Sequence, residues 1–191
     1  SHTCALDTRG HAWCWGWDSN GQIGDGDADQ NDDNCGDGHC ALTPTQVAGQ
    51  NSFTTIDSGD WGTCALDTSG TAWCWGNTPG VTLAFVPTAV PADQTFVSIS
   101  TNYGHTCAVD TRGQAWCWGL NFDGELGTGD TDQVWRPTKK VVGEHKFVSI
   151  ATSSATTCAI DTDKRIWCWG SNSFGEVGVG AGDGGNGLVQ L

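Results

Sequence analysis

"AWCWG" occupies residues 12–16, 72–76 and 115–119, and its variant "IWCWG" residues 166–170. A cysteine set between two tryptophans four times in 191 residues makes the repeat, and not any local propensity, the feature that decides the architecture. The copies extend backwards as "HTCALDTRGHAWCWG", "GTCALDTSGTAWCWG", "HTCAVDTRGQAWCWG" and "TTCAIDTDKRIWCWG". Their second cysteines, Cys14, Cys74, Cys117 and Cys168, are separated by 60, 43 and 51 residues. A period near 50 with loops of variable length fits blades of four short strands, and is too long and too rich in β-formers for helical repeats. The expected fold is all-β, a β-propeller-type array of about four four-stranded blades in one domain. The repeats span approximately 1–50, 51–93, 94–144 and 145–191.

Each copy accounts for its own cysteines. Between Asp7 and His11 lies a three-residue connection ending in Gly10, which suits a type I turn closed by a residue in the left-handed region. Counting outwards, Asp7 faces His11 and Cys4 faces Cys14. If the Asp7–His11 pair is hydrogen-bonded, alternation makes Cys4–Cys14 a non-hydrogen-bonded pair, where Cα atoms approach closely enough for a disulfide. The same count pairs Cys64 with Cys74, Cys107 with Cys117 and Cys158 with Cys168. Lys164 stands where the other three turns have glycine, so this turn is expected to depart most from the others. Cys35 and Cys40 share one loop and pair with each other, which uses all 10 cysteines.

Alternation along the strand explains the tryptophans. Trp13 and Trp15 point to one face of the hairpin and Cys14 to the other, so each blade carries an aromatic layer on one side and a disulfide on its back. Eight of the 11 tryptophans sit in these positions, where packing between blades accounts for them. Trp17, Trp61 and Trp135 fall at loops or strand starts and are the candidates for contact with a partner.

The pattern predicts 15 strands. The hairpins are His2–Asp7 with His11–Gly16, Thr63–Asp67 with Thr71–Gly76, Thr106–Asp110 with Gln114–Gly119, and Thr157–Asp161 with Ile166–Gly170. Strands Phe53–Ser58, Phe96–Thr101 and Phe147–Thr152 precede the last three hairpins, and outer strands follow at Pro44–Val47, Val86–Val90, Thr138–Val142 and Leu188–Leu191. No such strand precedes the first hairpin, so the first blade is incomplete.

The formal net charge is -14, from 22 acidic against 8 basic residues. Most of this surface repels a phosphate backbone, which argues against nucleic acid as a partner. Six of the basic residues lie in the last 60, an asymmetry that suits head-to-tail contact between copies, though a solvated surface explains it nearly as well. Ten paired cysteines point to an extracellular or cell-surface setting, an intracellular protein of a hyperthermophile being the alternative. No apolar run is long enough to span a bilayer, no secretory signal stands at Ser1, and there is no Asn-x-Ser/Thr acceptor.

Catalytic motifs are scarce. His-Glu-x-x-His, Gly-x-Ser-x-Gly and a phosphate-loop lysine are all absent, and Gly180, Gly182 and Gly185 match G-x-G-x-x-G within a glycine-rich loop with no helix behind it. "DGDADQNDDNCGDGHC" places Asp25, Asp27, Asp29, Asn31 and Asp33 at every second position. Oxygen ligands spaced in this way can wrap a hard cation such as calcium, and a solvated acidic loop is the alternative. The Asp-Asn-Cys ending is similar to thrombospondin type 3 calcium repeats.

The third copy, "VSISTNYGHTCAVDTRGQAWCWGLNFDGELGTGD", resembles a repeat of the regulator of chromosome condensation family, and "WGWDSNGQIGDG" and "WGSNSFGEVGVG" match the tail of the same pattern. The second copy lacks the Gly-Gln-Leu-Gly block after "WGNTPG", so its outer loop is expected to differ. The resemblance implies a propeller, usually of seven blades, built mainly for binding. Four repeats form either an unusually small ring or an arc completed by preceding sequence or by other copies of the chain. Nucleotide exchange on a small GTPase and chromatin binding, known in one branch of the family, suit an acidic disulfide-bonded chain poorly. The expected function is a secreted, non-enzymatic structural or self-assembling unit. A protein-binding module or enzyme inhibitor using one propeller face is the alternative. The expected partners are a protein or other copies of the chain.

Overall fold

The computed structural model describes residues 2–27, 39–180 and 188–191. Its strands form four antiparallel sheets. The first holds β1 (His2–Leu6), β2 (Ala12–Trp17) and β3 (Cys40–Gln46); the second holds β4 (Phe53–Ser58), β5 (Gly62–Asp67), β6 (Ala72–Gly76) and β7 (Ala84–Ala89). The third holds β8 (Phe96–Thr101), β9 (His105–Asp110) and β10 (Ala115–Gly119); the fourth holds β11 (Phe147–Thr152), β12 (Thr156–Asp161), β13 (Ile166–Gly170) and β14 (Val189–Gln190). The first blade has no counterpart of β4, β8 or β11.

Fourteen strands are formed among the described residues, one fewer than the sequence predicts. Thr138–Val142 is not a strand. Only two isolated bridges, Trp116 with Lys140 and Gly119 with Val134, hold this segment to β10. Between them Thr138 N turns back to Arg136 O at 2.7 Å in place of a ladder bond; a proline alone does not prevent the strand, since β3 and β7 form with Pro44 and Pro87 inside them.

The hairpin register is the one that the cysteines require. Cys4 faces Cys14, Cys64 faces Cys74, Cys107 faces Cys117 and Cys158 faces Cys168. All four pairs are bridged, each with its Cα atoms 4.1 Å apart. Cys40 is also disulfide-bonded, while Cys35, its expected partner, lies outside the described residues. At the first turn Asp7 N donates to His11 O at 2.9 Å, and the Asp7 carboxylate accepts from the backbone N–H of Arg9 and His11. These bonds hold the Asp7 carboxyl down to about 2, the His11 N–H contributing most.

The fourth turn keeps the same form despite Lys164, which sits at φ 65°, and the Asp161 carboxylate accepts from Asp163 N and Arg165 N. The reason for glycine in the other turns is the blade that follows. A Cβ on Gly10 would lie 2.7 Å from Phe53 O, and one on Gly70 2.6 Å from Phe96 O. No described strand covers Lys164 in this way, so only the left-handed backbone has to be tolerated there.

Three apolar clusters fill the three joints between consecutive blades. In each, the disulfide of one blade lies with the second tryptophan of the next: Cys14 with Trp75, Cys74 with Trp118, Cys117 with Trp169. The alternation in the Trp-Cys-Trp motif thus assigns its cysteine to the following blade and its second tryptophan to the preceding one. No such cluster joins the fourth blade to the first among the described residues, so the blades form an open arc.

Candidate functional site

A joint shows what a blade face needs. The ring N–H of Trp75 donates to Gln22 O, that of Trp118 to Pro79 O and that of Trp169 to Glu125 O, at 2.9, 3.0 and 2.9 Å. These three rings are fully buried, and Thr63 and Thr157 donate their hydroxyls to the Gln22 and Glu125 carbonyls. The carbonyls are presented by the loops after the hairpins, which Asp18 and Asn121 fold by accepting from Ile23 N and Leu126 N. The first tryptophans of the motif are half-buried, and Trp73, Trp116 and Trp167 donate to the turn carboxylates Asp67, Asp110 and Asp161.

Two histidines serve the joints. His2 Nε2 meets Thr63 Oγ1 at 2.6 Å, and His105 Nε2 meets Thr157 Oγ1 at 2.8 Å. Burial holds the imidazole of His105 down to about 4. A pKa lowered by folding gives stability that is present above the unfolded value near 6.5 and lost as pH falls from there to about 4. The loss for His105 is on the order of 3 kcal/mol. Urea midpoints measured from pH 7 to pH 4 are expected to fall over this window, and His105→Gln to flatten part of the fall. A wild-type midpoint independent of pH there would contradict this assignment.

Among the described residues no neighbouring blade covers the leading face of the first blade or the trailing face of the fourth. At the leading face, Trp15 is half-buried and Thr3 exposed, although their counterparts Trp75 and Thr63 are fully buried. At the trailing face, Ile160, Ile166 and Leu191 are 40%, 42% and 52% exposed. Their counterparts in the second blade, Leu66, Ala72 and Val90, are at most 3% exposed. A shallow pocket of about 200 Å³ between Thr156, Cys158 and Glu176 opens on the same face.

A second feature lies on the loop side between the second and third blades. The shorter loop after β6 replaces the missing block with Thr78-Pro79-Gly80, and Gly80 takes the place against the Trp118 ring that Gly24 and Gly127 take against Trp75 and Trp169. The volume left by the absent residues is a cleft of about 640 Å³. Trp61 and Trp135, two of the three tryptophans singled out by sequence, line it, with Tyr103 edge-on to Trp61 at 4.4 Å between ring centroids. Trp17 is exposed at the end of β2 and is not part of this lining. Tyr103, Leu83 and Arg136 were not singled out by sequence reasoning, although the missing block marked where to look.

Asp25 and Asp27 are described, whereas Asp29, Asn31 and Asp33 lie outside the described residues. Among the described residues no group of three or more His, Cys, Asp or Glu is gathered, and no helix is long and apolar enough to cross a membrane.

Two sequence patterns of the regulator of chromosome condensation (RCC1) repeat match the chain, one at residues 9–66 and 112–160, the other at 96–125 and 147–176. The chain belongs to the RCC1 repeat family. The human X-linked retinitis pigmentosa GTPase regulator is 38% identical over 63 residues, which cover 31% of this chain and 6% of that protein. Among solved RCC1-type structures, human WBSCR16 superposes with a TM-score of 0.84 at 16% identity, covering 100% of this chain and 50% of the other. Prp20p from Saccharomyces cerevisiae, described for its binding to Gsp1p and histones, superposes with a TM-score of 0.78 at 19% identity, covering 100% and 48%. The chain thus spans about half the length of these structures and a small part of the human relative. An RCC1-type propeller is a protein-binding kind of module, and its repeats here carry cysteine pairs.

Proposed function

We propose that this chain is a non-enzymatic, extracellular binding and assembly module whose free blade faces join it head to tail to a second copy. The observation that carries the reading is the trailing face, where Ile160, Ile166 and Leu191 are exposed although their counterparts at the second and third joints, Leu66 and Val109, Ala72 and Ala115, Val90 and Val141, are buried. The leading face offers the complement: Trp15 and Thr3 repeat the residues that elsewhere reach the carbonyl of the preceding blade's loop, which Glu176 would supply. The last turn has Lys164 where, at Gly10 and Gly70, the approach of the next blade demands glycine. The disulfides support an oxidising compartment.

Sedimentation velocity of the whole chain over a concentration series tests this. Association is expected to grow with concentration, and to be lost in both Ile166→Lys and Trp15→Ala with the melting temperature of the dilute protein little changed. A chain that stays monomeric when concentrated would overturn assembly. The alternative, a module that binds a different protein, is favoured by the second exposed feature, the aromatic cleft.

A further inference from the structure

The cleft between the second and third blades lies apart from the joint faces of the first and last blades, and although Pro79 and Gly80 at its floor also meet Trp118, its aromatic walls serve no joint. Its walls are Trp61, Tyr103 and Trp135, all more than two-fifths exposed, with Leu83 at the lip. Leu83 holds a backbone φ of 25°, a conformation a leucine rarely adopts, and it keeps a large apolar side chain exposed. In a chain with 22 acidic residues, no Asp or Glu among the described residues lines this cleft, and the one charged residue described in its lining is Arg136. Arg136 makes no ion pair among the described residues. Thr78, also in the lining, is 4% exposed, and its hydroxyl finds no hydrogen-bond partner among the described residues.

We propose that this cleft binds an extended peptide segment of a partner protein that carries a carboxylate. The planes of Trp61 and Tyr103 meet at 66°, which makes an angular notch. A sugar face stacks best on one flat ring, whereas a notch between rings suits the compact ring of a proline or the stem of an apolar side chain in an extended chain. The guanidinium of Arg136 presents a planar fork that matches a carboxylate. The net charge of -14 disfavours the approach of any acidic partner. The carboxylate is therefore recognised at short range, and the aromatic walls hold the segment.

The test uses the whole chain and two peptides, acetyl-Pro-Pro-Pro-Glu-amide and its Gln counterpart, followed through the indole N–H resonances of Trp61 and Trp135. With the Glu peptide both resonances are expected to move and saturate while that of Trp17 stays in place. The Gln peptide is expected to bind about tenfold more weakly, and Arg136→Gln to erase that difference while leaving the Gln peptide's affinity unchanged. Trp61→Ala is expected to remove the response at Trp135. No movement at millimolar peptide, or equal affinity for the two peptides, would overturn the proposal, as would saturation by a uronic-acid oligosaccharide in place of either peptide. Trp15→Ala, which is expected to abolish assembly, is expected to leave the peptide response intact, so the failure of one reading is distinguishable from the failure of the other.

Discussion

Reduction of the disulfides is expected to lower the melting temperature of this chain by about 10–20 °C. Each described bridge has a sequence separation of 10, closing a loop of about eleven residues. In the chain-entropy model, a loop of that length stabilises by roughly 3 kcal/mol. Four of them sum to roughly 11 kcal/mol, comparable with the whole stability of an ordinary domain. That sum is an upper figure, because the reduced unfolded chain retains some hairpin order, and half of it gives the stated shift. The bridges also fill space: Cys14, Cys64, Cys74, Cys107 and Cys117 are completely buried in the joints, so the reduced thiols have to be accommodated by packing made for a bridge. The measurement is a thermal melt followed by near-ultraviolet circular dichroism with and without a phosphine reductant, thiol titration confirming that every bridge has opened. An unchanged melting temperature with all thiols free would show that the blades are held by their joints alone.

The sequence made the hairpins legible because each carries three independent constraints that agree: a turn of fixed length, a pair of cysteines at equal distance from it, and alternation that sends tryptophan and cysteine to opposite faces. The register of all four hairpins follows from them. The outer strands carry no such constraint. Thr138–Val142 reads like the other outer strands, yet Thr138 N is spent on Arg136 O instead of a ladder, a local turn that the residue types do not announce, since β3 and β7 form with Pro44 and Pro87 inside them. Lys164 shows another limit, since glycine in the other turns answers to a neighbouring blade that a local reading of the turn does not contain. The cleft was half legible. Trp61 and Trp135 stood out as tryptophans unexplained by the repeat, and the short loop of the second copy was visible as a missing block. That the two observations describe one place, with Tyr103 and Arg136 added, depends on the third blade lying against the second, a distance no spacing in the sequence encodes.

Trp118→Ala is expected to destabilise the chain by about 3–5 kcal/mol and Trp15→Ala by about 1 kcal/mol or less, although both stand at the same position of the same motif. Trp118 is 0% exposed, lies with the Cys64–Cys74 bridge in the middle joint, and donates to Pro79 O. Alanine there leaves a cavity the size of an indole and a buried carbonyl without its donor. Trp15 is half-buried and meets no preceding blade among the described residues, so its removal forfeits only part of a packed surface. Urea midpoints at low protein concentration measure the contrast. The same two variants at high concentration carry the argument further. Association stabilises the folded chain by mass action, so a residue at the contact between copies gains weight as concentration rises, whereas a residue inside the arc does not. The deficit of Trp15→Ala relative to wild type is therefore expected to widen with concentration while that of Trp118→Ala stays constant. A Trp15→Ala deficit that is the same at every concentration would mean that the leading face meets no second copy, and equal deficits for the two variants would mean that the arc does not end at the first blade.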